Sequence, residues 1–191
     1  MLGLKQPLLL IIGSSHKEAN LSERETFSLD ARQLECLSND LIEQTVLKEC
    51  LILNTCNRLE VYAVIHDVAE IEKVHQSLCT HPTLKDSYFP KYNFIKKQSS
   101  AIEHCFALAS GLASQMVGET EILGQIKQAY QRAKATGQTD AMLNRLFEKS
   151  FQAAKLIRSQ TGISRGQISV GTVAVHLANR IFGAIEKSRI L

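Results

Sequence analysis

Cys50-Leu51-Ile52-Leu53-Asn54-Thr55-Cys56-Asn57-Arg58-Leu59-Glu60-Val61-Tyr62-Ala63-Val64 is the stretch that decides the fold. Two apolar runs flank a short polar centre. They predict strands over 47–53 and 59–65, joined at Thr-Cys-Asn-Arg by a turn. A cysteine therefore sits where one buried strand ends and the next begins, with a guanidinium two residues on. Thiolates act as nucleophiles where positive charge is close and solvent has access. The same pattern also suits a buried structural cysteine at a strand end, and the residues alone leave both readings open.

Working outward, Leu8-Leu9-Leu10-Ile11-Ile12 reads as a buried strand ended by Gly13. Ser22-Glu23-Arg24-Glu25 carries a capping-box pattern that opens a helix. A second helix is expected from Asp30 to Leu37, and a third from Asp67, as N-cap, to Leu78. Residues 80–90 hold two of the three prolines and read as a loop. Residues 92–95 suit a last short strand. From about Ser99 the pattern turns helical. Ile102, Cys105, Phe106, Ala109 and Leu112 form one helical stripe. Residues 111–120 interrupt it. Helices follow from Ile122 or Gln125 to about Thr136, from Ala141 to Gln160, and from Ser169 to Phe182. Ser188-Arg189-Ile190-Leu191 resembles the opening of a further strand, which suggests a longer parent protein.

The 191 residues, 45% hydrophobic and 21% charged, fit a globular chain with a real core. Five cysteines at irregular spacing argue against a disulfide framework and for a reducing compartment. No apolar run reaches membrane-spanning length and no signal peptide is evident, so the cytoplasm is the expected location. Charge is uneven. Residues 1–126 carry 11 Lys+Arg against 16 Asp+Glu, whereas residues 127–191 carry 11 against 3. A basic C-terminal portion suits an anionic partner such as nucleic acid, or simply a set of solvated helices.

Other residues could carry chemistry. His104 points away from the Ile102/Phe106/Ala109 stripe, as a proton-transfer group or an ordinary surface histidine would. The loop from Gly111 to Glu121 could line a polar pocket through Ser114, Gln115, Glu119 and Glu121, or merely connect two helices. His75, Cys79 and His81 lack zinc-module spacing, and no metal is expected. No glycine-rich phosphate loop is present.

Taken in order, these segments resemble glutamyl-tRNA reductase along nearly the whole chain. The resemblance rests on Gly13-Ser14-Ser15-His16-Lys17-Glu18-Ala19, on Asn54-Thr55-Cys56-Asn57-Arg58 with Glu60-Val61-Tyr62, and on His104-Cys105-Phe106 with Ala109-Ser110-Gly111-Leu112. Gly118-Glu119 with Ile122-Leu123-Gly124-Gln125-Ile126-Lys127 continues it, as do Arg158, Thr161-Gly162-Ile163 and Ser169-Val170. Asn54 stands where that family usually has Ser, Ala113 where it often has Asp, and Gln115 where Met is common. Thr120-Glu121 replaces a frequent Pro-Gln.

The resemblance implies an α+β fold: a ferredoxin-like antiparallel sheet subdomain over 1–97, then a helical subdomain over 98–183. Residues 184–191 would begin a linker to a Rossmann-type NADPH domain. Cys56 would attack the ester of glutamyl-tRNA to form a thioester, with His104 placing or moving a proton. NADPH in the full-length enzyme would reduce the thioester to glutamate-1-semialdehyde for tetrapyrrole biosynthesis. Thr55, Asn57, Arg58, Ser114, Glu119, Thr120, Glu121 and Gln125 would surround the glutamate. Implied partners are glutamyl-tRNA, a second copy of the full-length protein, and glutamate-1-semialdehyde aminomutase. Two competing readings are a non-catalytic tRNA-binding or regulatory relative and a thiol hydrolase acting on another acyl ester.

Overall fold

The computed structural model describes residues 6–45, 47–119, 121–164 and 170–183. The elements run β1 (Leu8–Ser15), α1 (Leu21–Glu25), α2 (Ala31–Gln44), β2 (Glu49–Thr55), β3 (Arg58–Ile65), α3 (Glu70–Thr80) and β4 (Phe94–Lys97). Then follow α4 (Gln98–Ala109), α5 (Glu121–Ala135), α6 (Ala141–Gln160), a 3-10 turn (Gly162–Ser164) and α7 (Val170–Phe182). The sheet order is β2-β3-β1-β4, and every neighbouring pair is antiparallel. Two split β-α-β units interlock, which is the ferredoxin-like arrangement expected.

The sheet is buried on both faces. Leu8, Leu10, Ile12, Cys50, Ile52, Val61 and Ala63 pack with residues of α2 and α3 and with Phe27, Leu84 and Phe89 of the loops. Their alternates Leu9, Ile11, Leu51, Leu53, Tyr62 and Val64 pack with α4, α5 and α6. Strands covered on both sides need no polar alternation, hence the unbroken apolar runs in the sequence.

In the β2–β3 hairpin, Thr55 pairs with Arg58 and leaves Cys56-Asn57 as a two-residue turn. Such turns usually require positive φ. Among the described residues only Gln98 is a non-glycine with positive φ, so Cys56 and Asn57 close the hairpin without it. Neighbouring elements hold the turn instead. His16 N–H donates to the Asn57 carbonyl at 3.1 Å, and Arg24 Nε to the Cys56 carbonyl at 3.4 Å. Asn57 N–H donates to Thr55 Oγ1 at 3.2 Å.

Several expectations are corrected. β1 does not stop at Gly13 but continues to Ser15. Gly13 lies opposite Glu60, and a Cβ there would come within 2.8 Å of Glu60 Cγ, so glycine makes room for a side chain rather than ending a strand. The first capping box is Asn20/Glu23, not one opened by Ser22. α2 is longer than expected, starting after its Asp30 cap and running on to Gln44. α3 starts at Glu70, because Asp67 Oδ1 accepts from Ala69 N–H in a preceding turn. The buried residues of α4 are Ala101, Cys105, Leu108 and Ala109, whereas Ile102 is 44% exposed. Small side chains let that face lie close against β1 and α6.

α6 is capped from outside its own sequence. Asp140 makes no side-chain cap. The buried Glu49 carboxylate of β2 accepts from the backbone N–H groups of Asp140 (2.7 Å), Met142 (3.0 Å) and Leu143 (2.8 Å). An anion at a helix N-terminus satisfies orphan donors and meets the positive end of the helix dipole. Among the described residues, no helix is long and apolar enough to cross a membrane.

Candidate functional site at the Cys56 turn

Cys56 is exposed at the hairpin tip. A small pocket beside it is lined by Thr55, Cys56, Asn57, Arg58, Gln115, Glu119, Glu121, Ile122 and Gln125. The structure thus brings Cys56 together with six residues singled out as substrate-binding in the sequence: Thr55, Asn57, Arg58, Glu119, Glu121 and Gln125. They come from the hairpin, from the loop after α4 and from the first turns of α5. The pocket encloses about 20 Å³, room for a water rather than a glutamyl group. Glu121 is exposed, and Glu119 and Gln125 are half-buried, so the wall that must move to admit a larger group is made of long side chains. A larger cleft of about 680 Å³ lies at the far end of the sheet, between Leu9, Val64, Phe106 and Met142, and no cysteine lines it.

Loop geometry sets that wall. Gly111 has φ +82°, and a Cβ on it would press against Gly118 and Glu119 at 3.1–3.2 Å. Gly118 N–H closes the loop onto the Gly111 carbonyl at 2.8 Å. Arg158 Nη2 reaches across from α6 to the Glu119 carbonyl at 2.6 Å. Ser114 is buried behind the wall, with its hydroxyl unpartnered. Thr120 lies outside the described residues.

Arg58 is placed differently from what its sequence position suggests. It is buried, donating through Nη1 to Glu60 at 2.6 Å and through Nη2 to the Ala113 carbonyl at 2.7 Å. Its Nε has no partner. The residue at 113 therefore meets Arg58 through its backbone carbonyl, and the Ala113 departure leaves that contact intact. Arg24 is the guanidinium that hydrogen-bonds the turn itself, through Nε to the Cys56 carbonyl and through Nη2 to Asn57 Oδ1, each at 3.4 Å.

His104 does not line the Cys56 pocket. It is only 12% exposed, and its Nε2 lies 3.0 Å from both carboxylate oxygens of Glu60. Arg58, Glu60 and Tyr62 alternate along β3 and so share the face that α4 covers. Tyr62 hydroxyl donates to Glu60 at 2.7 Å. Burial pushes the Glu60 carboxyl up. The hydrogen bond and charge of His104, the charge of Arg58 and the Tyr62 hydroxyl outweigh it and hold the group at about 2. Burial and the Glu60 charge push the Tyr62 phenol well above its usual range. A chain of contacts thus runs from His104 through Glu60 to Arg58 and the pocket wall.

Two residues of this neighbourhood escaped the sequence reading as site residues. Glu60 stands in the sequence as one residue of the Glu60-Val61-Tyr62 stretch, with no role of its own. A carboxylate in the middle of an apolar strand is the signal that marks it, because a buried charge demands partners. His16 lies beside the turn with a buried, unpartnered Nδ1. Burial, followed by the charges of Arg58, Lys17 and Arg24, lowers its pKa. Cys50 and Cys105 are pushed up to about 12 by burial, which leaves them unreactive.

Fold and site together define an α+β protein whose ferredoxin-like sheet presents an exposed cysteine over a small polar pocket. The family model described as "Glutamyl-tRNAGlu reductase, N-terminal domain" matches residues 12–161. The chain belongs to the glutamyl-tRNA reductase family. It is 37% identical over 183 residues to glutamyl-tRNA reductase of Aquifex aeolicus, covering 96% of this chain and 45% of that protein. It is 38% identical over 179 residues to the enzyme of Magnetococcus marinus, covering 93% and 42%. The solved structure of glutamyl-tRNA reductase from Methanopyrus kandleri superposes with a TM-score of 0.71 at 36% identity, over 92% of this chain and 40% of that one. The chain therefore spans less than half the length of these relatives.

Proposed function

We propose that this chain is the acyl-transfer part of a glutamyl-tRNA reductase and that Cys56 is its nucleophile. The observation carrying this reading is the exposed Cys56 turn beside a pocket walled by Asn57, Glu119, Glu121 and Gln125. The Cys56 sulfur attacks the carbonyl carbon of the ester joining glutamate to the terminal ribose of its tRNA. A C–S bond forms, the C–O bond breaks, and the ribose oxygen leaves with the proton the thiol gave up. The products are a glutamyl thioester and free tRNA. Such a split of one difficult reaction into two steps is the logic of covalent catalysis.

Glu119 and Glu121 suit the substrate ammonium, and the amides of Asn57 and Gln125 suit its side-chain carboxylate. Arg58 acts from behind, fixing the Ala113 carbonyl and hence the loop wall. His104, oriented by Glu60, is the proton-handling group in this reading, and it reaches the pocket wall only through Glu60 and Arg58. A groove of about 550 Å³ between α5 and α6 has Leu123 and Phe151 as its floor and Lys127, Lys155 and Arg158 at its rim. It shares α5 and Arg158 with the pocket wall, which supports a path for tRNA phosphates beside the ester.

NADPH would supply hydride to the thioester in the whole enzyme. The described residues do not fit that cofactor. Gly111 and Gly118 bracket a helix–helix loop, and among the described residues no glycine turn follows a strand into a helix.

Intact mass spectrometry of the chain incubated with glutamyl-tRNA tests the proposal. The expected result is a glutamyl adduct on the parent chain that hydroxylamine removes, and none on Cys56→Ser. Equal deacylation by parent and Cys56→Ser would overturn it. The small room in the pocket favours one second reading, a tRNA-binding relative without chemistry. It predicts tRNA binding with no adduct on either chain.

A further inference from the structure

We propose that Cys36, Asp40 and His81 form a metal site for Zn²⁺ or a similar borderline divalent cation, tying α2 to the end of α3. Cys36 and Asp40 are one helical turn apart on α2 and point the same way. His81 caps α3 and reaches across to them. Its Nε2 lies 3.0 Å from Asp40 Oδ2, and Cys36 Sγ lies 3.8 Å from the same oxygen. The three ligand atoms all fall within 4.8 Å of one another. Tetrahedral zinc with bonds of 2.0–2.3 Å places its ligand atoms roughly 3.3–3.7 Å apart. Cys36 is exposed, so its side chain has room to turn toward the other two ligands.

The ligand chemistry suits zinc. A thiolate, an imidazole and a carboxylate are its three common protein donors. The imidazole is also supported from behind, since Thr83 Oγ1 lies 2.8 Å from His81 Nδ1. Metal-bound histidines generally donate their other ring N–H to such a partner, which fixes the ring. Without metal, Nε2–H donates to Asp40 and Nδ1 accepts from Thr83. On binding, the imidazole proton moves to Nδ1 and is donated to Thr83 Oγ1, and the Thr83 N–H, which donates to Nδ1 at 3.3 Å in the metal-free form, gives up that acceptor. The Cys36 thiol loses its proton to solvent, so one proton is released per metal. Cys36 and the one-third-exposed Asp40 leave the outer side open. Water completes the coordination there.

The sequence led to no metal being expected, because the segment holding His75, Cys79 and His81 lacks zinc-module spacing. His75, Cys79 and His81 share a short segment, yet the fold pairs His75 with Cys79 at 3.5 Å and sends His81 to α2. No spacing rule finds a site split between two helices some forty residues apart.

Co²⁺ is the probe, titrated into the chain carrying Cys56→Ser, which removes the other exposed thiol. The expected result is one equivalent bound, with a thiolate-to-cobalt charge-transfer band and tetrahedral d–d absorption that Zn²⁺ abolishes. Cys36→Ser should remove the charge-transfer band, and Asp40→Asn should weaken binding. Thr83→Val, which keeps all three ligands, should lower affinity about 10–100-fold. Circular dichroism and a melting curve on each variant establish that it is folded. A charge-transfer band that survives Cys36→Ser, or the absence of stoichiometric tetrahedral cobalt in a folded chain, would overturn the proposal.

Discussion

Gly13 of β1 and Glu60 of β3 face each other across the sheet so closely that a Cβ on residue 13 would come within 2.8 Å of Glu60 Cγ and 2.9 Å of the Leu59 carbonyl. Both obstacles are fixed, since Glu60 is held by three partners and Leu59 is backbone. Gly13→Ala is expected to destabilise the chain by about 1–3 kcal/mol through overpacking. Urea unfolding measures this. A variant as stable as the parent would show that the Glu60 contacts yield easily.

Glu60→Gln keeps shape but removes the charge opposite buried Arg58. Breaking one side of a buried pair typically costs about 3–5 kcal/mol. The pH dependence carries a second signature. Glu60 is held at about 2 against 4.5 for a free carboxyl. A carboxyl depressed in this way adds stability that is complete above its free pKa and is lost as pH falls toward the folded value. The urea midpoint of the parent should therefore drop more steeply than that of Glu60→Gln between pH 4.5 and about 2.

Thiol labelling sorts the cysteines. Cys56 and Cys36 are exposed, whereas Cys50 and Cys105 are buried and pushed up to about 12. Brief iodoacetamide treatment near neutral pH, followed by peptide mapping, should modify Cys56 and Cys36 and spare Cys50 and Cys105 until the chain unfolds. If Cys56 is the nucleophile, it should also outpace Cys36. Equal rates at these two sites would count against an activated thiol.

Glu49→Ala removes the carboxylate that caps α6. Three backbone N–H groups then lose their acceptor, at an expected cost of about 2–3 kcal/mol. The cap lies at the end of the sheet away from the Cys56 turn, so labelling of Cys56 in the folded variant should be unchanged. Thermal melts and the labelling rate measure the two effects separately.

Much of this was legible in the chain. The two apolar runs around Cys56 placed β2 and β3 within two residues of their ends, and the limits of α6 were read correctly. Runs of that kind need only local contrast with their flanks. The face of α4 was misread, because Ile102 and Leu112 outweigh Ala101 and Ala109 on any hydrophobic count, yet close packing against β1 favours the smaller residues. The pocket wall was partly legible, since Glu119, Glu121 and Gln125 stood out as polar residues beside glycines. The burial of Arg58 and His104 was not, because it depends on Glu60, forty-four residues before His104, and on the strand alternation that points Arg58 inward. The Glu49 cap was invisible for the same reason, with ninety-four positions separating it from Leu143.

The polar column Arg58–Glu60–Tyr62 also governs strand alignment. A one-residue slip of β3 would turn all three side chains toward α2 and α3, where Phe27, Leu37 and Val74 are apolar and offer a charge no partner. Misaligned hairpins are thereby penalised far more than an all-apolar strand would penalise them. The column works as a ruler: it fixes how far along the hairpin the chain reverses, and so which residue stands at its tip.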